Sequence, residues 1–421
     1  MSDRDEQPFN LPIVEPSSAA NAGESTRAVH VPRPDPPAQL PLGLPTYRTA
    51  AFVFDSAQDY SDILGDRRPG YSYSRVDNPT ADAFALGLAA LEAHGCDRPV
   101  AAQPFASGMA AISTVFLTLC RAGAHVVAPA AVYGGTFGVL HHVLARFGVE
   151  ATFVDGTDVD AVRAAIRDET VVVWAETIAN PTTAVADLPA LSAVCRDAGV
   201  PLAVDSTFAS PAVCRPLQWG ADLVVHSATK YLGGHSDVTG GAVVGDVELV
   251  RAIRAARLDL GGMLAPDEAF LLHRGLATLP LRVARHCANA LAVAEAVAEH
   301  PRVARVDYPG LTSHPQHELA GKLFDEGADG RRYGAIVTVT PSGGREAGLA
   351  FCDRLRLGQV ATSLGGTHTV VSHVASTTHR QLDDVALAAA GISPATVRVI
   401  VGLEDPDDLV RDLSASLDAL D

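Results

Sequence analysis

Residues 224–235 read VVHSATKYLGGH. A short apolar run gives way to small hydroxyl residues, then Lys230, then Gly233 and Gly234. The run predicts a buried strand, and the change of composition marks its C-terminal end, where open α/β sheets place ligands. A single lysine is ordinarily a solvated surface charge. Here Ser227 and Thr229 flank Lys230 with hydroxyls suited to a phosphate. A lysine partly desolvated at such a position loses its proton more readily and can form an imine.

The sequence on either side supports a sheet. Short apolar runs at 125–129 (HVVAP), 170–176 (TVVVWAE), 201–206 (PLAVDS), 222–228 (DLVVHSA) and 241–245 (GAVVG) show little polar alternation. That pattern predicts parallel strands covered on both faces. Helices are expected between them. One runs over 187–198, with Asp187 as cap, Pro189 in its first turn and Gly199 at its end; another covers 159–167. Earlier, Phe84, Leu88 and Leu91 recur at helical spacing before Gly95. The series predicts a doubly wound α/β domain over 79–265.

Past residue 265 the pattern shifts. A long Ala-rich helical stretch over 266–299 is followed by strands near 303–307 and 334–340 and a helix near 345–356. Strands near 359–362 and 396–401 and a terminal helix complete the chain. This predicts a smaller α+β domain over 266–421. Residues 1–43, with VPRPDPP and LPLGLP, read as a disordered Pro-rich tail, and 44–78 as an extended arm. No internal repeat or heptad pattern is present.

The formal net charge of −17 over 421 residues argues against nucleic acid as a partner. The six cysteines form no C-x-x-C pair, so free thiols are expected and a metal site is not. The acidic N-terminus lacks a basic-then-apolar leader, and no apolar run reaches about 18 residues. A cytoplasmic protein without a membrane segment is the expectation. No phosphate-binding G-x-x-x-x-G-K-[ST], G-x-G-x-x-G or H-E-x-x-H motif competes.

Other residues converge on the same strand ends. Asp205 closes PLAVDS, at the sheet edge expected for Lys230. A carboxylate there can keep a pyridine nitrogen protonated and the ring an electron sink, which pyridoxal 5′-phosphate (PLP) chemistry requires. The plainer reading is an Asp capping a turn, about as common. Thr207 would touch the same ring. Ser107-Gly108-Met109 precedes an apolar helix, whose N-terminus suits a phosphate; an ordinary Ser cap is the plain alternative. Tyr133, in AVYGGTFG, could stack on a ring or be a half-buried core tyrosine. Arg398, inside the apolar strand ATVRVIVGLE, needs a partner: a substrate carboxylate, or an internal Asp or Glu. Tyr73 and Arg75, in YSYSR, are either phosphate contacts or a solvated turn.

In this order the motifs YSR-x-x-NPT, SGM, YGGT, the NP of ETIANPT, DST, HSATKYLGGH, SLGG and STTH resemble the Cys/Met-metabolism PLP enzymes. The resemblance runs from about Leu44 to the C-terminus. It implies PLP-dependent transferase fold type I, with a mostly parallel large domain and a smaller α+β domain. It implies that Lys230 carries PLP as a Schiff base and shuttles protons, and that Asp205 partners the pyridinium. Ser107, Gly108, Met109, Ser227 and Thr229 would cradle the phosphate, Tyr133 and Thr207 would contact the ring, and Asn180 its phenolic oxygen. Arg398 and Ser363, with Asn180 and Tyr133, would meet the substrate. Tyr73 and Arg75 would reach the phosphate of a neighbouring subunit, giving a homotetramer built from dimers with shared sites.

The implied reaction is γ-elimination or γ-replacement on a sulfur-containing or O-acyl-homoserine amino acid. Rival readings are a β-lyase, a natural-product enzyme joining a carbon nucleophile to a vinylglycine-type intermediate, an aminotransferase, and a silent PLP-binding relative. Four positions depart from familiar subgroups. Gly135 stands where methionine γ-lyases typically carry Cys, and Thr362 where cystathionine-handling members often have Glu. Ile178 replaces a common Pro, and Arg48 a frequent Gln.

Overall fold

The computed structural model describes residues 24–29, 39–65, 67–378, 380, 383–389 and 391–420. The chain divides into two compact units, Met1–Pro45 and Thr46–Asp421. Of the first, a short helix, Glu24–Val29, is described, and most of the expected tail lies outside the described residues.

The larger sheet of the second unit has seven strands: β1 (Ala101–Phe105), β2 (His125–Pro129), β3 (Glu150–Val154), β4 (Thr170–Glu176), β5 (Leu202–Asp205), β6 (Leu223–His226) and β7 (Gly241–Gly245). Their order is β1-β7-β6-β5-β4-β2-β3. Strands β2 to β6 are parallel. Strand β7 corrects the expectation for GAVVG: it is antiparallel to both β6 and β1. The physical reason is its connection. Parallel neighbours need a helical crossover, and the chain between β6 and β7 forms turns instead. Both faces are sealed, as the apolar runs implied. Successive residues of β6 point to opposite faces: Leu223 and Val225 join the cluster around Phe116 and Trp174, and Val224 joins Phe84, Leu88 and Leu191. Each such side chain contributes about 1.5–3 kcal/mol on burial.

The Asn-Pro turn of YSYSRVDNPT starts a helix, Pro79–Glu92: Asn78 Oδ1 accepts from Thr80 N at 2.9 Å and Pro79 takes the first position. Asn78 Nδ2 also donates to Tyr47 O and Ser74 Oγ, tying the preceding segment to this cap. The helix Leu188–Ala198 is capped by Asp187 and ends at Gly199, as its sequence predicts.

The expected helical stretch over 266–299 is two helices, Pro266–Leu276 and Leu279–Ala298. They part at Ala277-Thr278, just before Pro280, which takes a first-turn position where its missing N–H costs nothing. Then come β8 (Val303–Asp307), a two-stranded ribbon of β9 (Glu326–Gly327) and β10 (Gly330–Arg331), β11 (Ile336–Pro341), β12 (Gln359–Val360), β13 (Val370–His373) and β14 (Val397–Ile400). A second sheet has the order β12-β13-β14-β11-β8 and is antiparallel except for β12 beside β13. Among the described residues no helix is long and apolar enough to cross a membrane.

Candidate active site

A cavity of about 540 Å³ opens at the C-terminal ends of β4, β5 and β6, walled on the other side by the second sheet. Lys230 lines it from the turn after β6. That turn is wound tightly: Lys230 N donates to Ser227 O and Gly234 N to Lys230 O. Gly234 sits at φ +75°, and a side chain there would strike Arg282. Arg282 is buried, donates to Tyr231 O at 2.8 Å and Gly275 O at 2.7 Å, and so pins the lysine turn to the following helices. Burial draws the Arg282 guanidinium down to about 10.

Lys230 Nζ donates to Ser363 Oγ at 2.8 Å. Burial first, and the nearby Arg398 charge second, hold the ammonium below its ordinary pKa. Ser363 adopts φ +81°, the left-handed region that favours glycine. A serine kept there directs its hydroxyl at the lysine against backbone preference.

Asp205 also lines the cavity. Its Oδ1 accepts from Thr207 N at 2.9 Å, the bond the turn-capping reading expects. Burial raises its pKa, opposed by the Thr207 bonds and the charge of His226. Thr207 lines the cavity, and its Oγ1 accepts from Ser227 N at 2.9 Å, joining the ends of β5 and β6.

The helix Gly108–Leu119 points its N-terminus at the cavity, with Gly108 and Met109 in the wall. Gly108 lies so close to Ser227 that a Cβ would sit 2.7 Å from its Cβ and 2.9 Å from its Cα. The result is a cradle of backbone N–H groups and a hydroxyl, the donor set a phosphate needs. Ser107 caps this helix, Oγ accepting from Ala110 N at 3.1 Å, and does not line the cavity. Thr229 exchanges hydrogen bonds with the Gly240 backbone and lines a neighbouring cavity with Ser363.

Tyr133 lines the cavity and is 45% exposed, so its ring is available to a ligand rather than packed in the core. A Cβ at Gly135 would meet Tyr133 Cε1 at 2.5 Å and Met109 Sδ at 2.6 Å, so the ring and thioether take the space a cysteine would need. Arg398, on β14, is buried; Nη1 donates to Asn180 Oδ1 at 2.8 Å, while buried Nε has no partner among the described residues. Among the described residues it pairs with no Asp or Glu. Burial draws it down to about 10. A buried guanidinium with no acidic partner, lining a cavity, has donors of the kind a carboxylate accepts from.

Tyr73 and Arg75 are not brought to this cavity. Arg75 Nη1 donates to Leu258 O at 2.9 Å, its guanidinium lies 5.9 Å from the Tyr73 ring centre, and Tyr73 is 46% exposed. The STTH motif is described through Thr378; His379 lies outside the described residues. Arg48 is exposed and pairs with Asp267 at 2.7 Å.

Two residues that the motifs did not single out matter here. Arg282 signals itself only as a charge within an Ala-rich helix. Glu176 ends the apolar strand β4 and lines the cavity beside Asp205. An acid closing a buried strand, as Asp205 closes the next one, was its signal.

The amine, the acid, the phosphate cradle and the available aromatic ring together fit PLP. A family model described as "Cys/Met metabolism PLP-dependent enzyme" matches residues 25–418. An L-methionine gamma-lyase of Fusobacterium nucleatum subsp. polymorphum is 41% identical over 382 residues, covering 90% of this chain and 94% of its own. A cystathionine gamma-synthase of Mycobacterium tuberculosis is 41% identical over 398 residues, covering 94% and 97%. Among solved structures, a putative O-acetylhomoserine (thiol)-lyase from Campylobacter jejuni superimposes with TM-score 0.84 at 31% identity, covering 90% of this chain and 95% of its own. That structure carries an N′-pyridoxyl-lysine-5′-monophosphate.

Proposed function

This chain belongs to the Cys/Met-metabolism PLP-dependent enzymes, and on that premise we propose that Lys230 is its cofactor-bearing and proton-moving residue. Its chemistry is PLP-dependent γ-elimination or γ-replacement on sulfur-containing or homoserine-derived amino acids. PLP, when bound, supplies an electron sink for charge developing at the substrate Cα.

The chain's own groups do the rest. Gly108, Met109 and Ser227 hold the phosphate, with Ser107 and Thr229 shaping the turns that present them. Asp205 holds the proton on the pyridine nitrogen, and Thr207 keeps Asp205 in place. Tyr133 covers the ring, and Asn180 meets its phenolic oxygen. Arg398 and Ser363 fix the substrate's α-carboxylate. Asn180 orients the guanidinium through its 2.8 Å bond, so cofactor and substrate are positioned by one side chain. Lys230 Nζ, whose hold on its proton is weakened by burial and then by the Arg398 charge, takes the Cα proton and returns protons further along the chain of carbons. With loss of a Cβ proton the γ-substituent then departs; either a thiol adds in its place, or water hydrolyses the remaining unsaturated skeleton to keto acid and ammonia.

Tyr73 and Arg75, directed away from this cavity, complete the phosphate site of a neighbouring subunit in a homotetramer of paired dimers. The same reading puts the enzyme in the cytoplasm, where its six unpaired cysteines stay reduced.

The observation that carries the reading is the 2.8 Å bond between the partly buried Lys230 amine and a serine held at positive φ, beside Arg398, which pairs with no acid among the described residues. The test is a product assay on PLP-loaded protein. L-Methionine, L-cystathionine and O-acetyl- and O-succinyl-homoserine are each offered with and without a thiol. Keto acid, or a new thioether or thiol amino acid, is expected from at least one substrate. No turnover of any of them contradicts the reading.

A further inference from the structure

Glu176 and Asp205 are Cα partners at the ends of neighbouring parallel strands, so both carboxyls face the same cavity. Glu176 is 7% exposed. Its Oε1 accepts from Tyr133 N at 2.6 Å, and the backbone N–H of Asn180 reaches the same carboxyl. One side chain therefore ties down two turns, one bearing the ring-covering tyrosine and the other the asparagine that orients Arg398.

The groups around it settle its charge. Asp205 on β5 is a second acid at close quarters. Lys230 and Arg398 stand on the other walls of the cavity, the arginine already engaged by Asn180. Behind Glu176 lies a second cavity of about 600 Å³, bordered by Asp155, His314 and the Arg305–Asp307 pair. No cation among the described residues forms a salt bridge with Glu176. Two buried acids side by side do not both ionise, and Asp205 is the one with a cationic ring nitrogen to meet.

We propose that Glu176 is a positioning residue that works as a neutral acid, holding Tyr133 and Asn180 in place around the cofactor. This rests on the assignment of those two residues to the PLP ring. Burial, and then the proximity of Asp205, push the Glu176 pKa up, which agrees with the neutral form. An amide has the same shape and accepts the Tyr133 N–H equally well.

The test compares the parent with Glu176→Gln and Glu176→Ala, each loaded with PLP. The parent's visible cofactor band is recorded first; its absence would sink the PLP assignment itself, separately from this proposal. Glu176→Gln is expected to release PLP within about twofold of the parent rate. Glu176→Ala is expected to release it at least about tenfold faster, the scale of one lost hydrogen bond to a buried group, with KM rising more than kcat falls. Parent-like release from Glu176→Ala overturns the positioning role. Equal impairment of both variants overturns the neutral form. Should Glu176→Ala not fold, the pH titration of the cofactor band in Glu176→Gln decides. The parent is expected to show an alkaline transition that this variant lacks, and identical titrations would overturn the proposal.

Discussion

Lys230 Nζ and Ser363 Oγ are 2.8 Å apart, and the serine that makes this bond stands at φ +81°. Two turns from different sheets meet at that contact. A hydroxyl is held in an unfavourable backbone conformation so that the amine has a directed partner. Ser363→Ala leaves the backbone cost in place and removes only the oxygen. It is expected to keep bound PLP and lower kcat/KM about tenfold or more, the scale of a hydrogen bond to a charged group. Steady-state kinetics beside the cofactor absorbance checks both halves, and unchanged kcat/KM would count against the contact.

Arg398 donates to Asn180 and leaves Nε without a partner among the described residues. Arg398→Lys keeps a charge but loses the planar fork. The expected result is a KM for the amino acid raised about 10- to 100-fold with PLP retention unchanged. A KM equal to the parent's would place the carboxylate elsewhere.

Gly108 has no room for a side chain: the new Cβ would press on Ser227 Cα and Cβ, which no rotamer change relieves. Gly108→Ala is expected to force the phosphate cradle open and weaken PLP retention at least about tenfold. Dialysis against PLP-free buffer, followed by absorbance, measures this. Full retention would mean that the helix N-terminus is not the phosphate site.

His286 is fully buried, its Nδ1 donating to Val401 O at 2.7 Å, and its ring lies edge-on to Tyr231, next in sequence to Lys230. Burial lowers its pKa to about 4. A group whose folded pKa is depressed binds fewer protons folded than unfolded, so its stabilisation is complete above about 6.5 and is lost as the pH falls towards 4. Denaturant unfolding at several pH values should show a shallower acid limb for His286→Gln than for the parent. Parallel limbs would contradict this.

Much of this was legible in the sequence, for physical reasons. The buried parallel strands announce themselves as apolar runs, and the polar residues that interrupt them at 205 and 227–230 mark the sheet edge where ligands bind. Strand β1 was not legible: AAQPF carries Pro104, which removes a ladder donor and argues against a central strand. It is tolerated because β1 pairs only with β7, at the edge. Strand β13 was missed because VVSH is short and follows the polar run GGTHT, and its burial comes from its neighbours in the second sheet. Glu176 and Arg282 were missed for a different reason. Each has a backbone partner more than forty residues away, Tyr133 N for Glu176 and Tyr231 O for Arg282, and no local spacing encodes that. Tyr73 and Arg75 stand apart from the cavity of their own chain, and the phosphate contact proposed for them needs a second subunit.

The most direct measurement follows from composition. The chain has only two lysines, Lys230 and Lys322, and Lys322 is exposed on the helix His317–Leu323. Borohydride reduction of the PLP-loaded protein followed by peptide mass spectrometry reads which of them carries the cofactor. The account predicts a single pyridoxyl group, on the peptide containing Lys230. A label on Lys322, or no label from protein that holds the visible band, would contradict it.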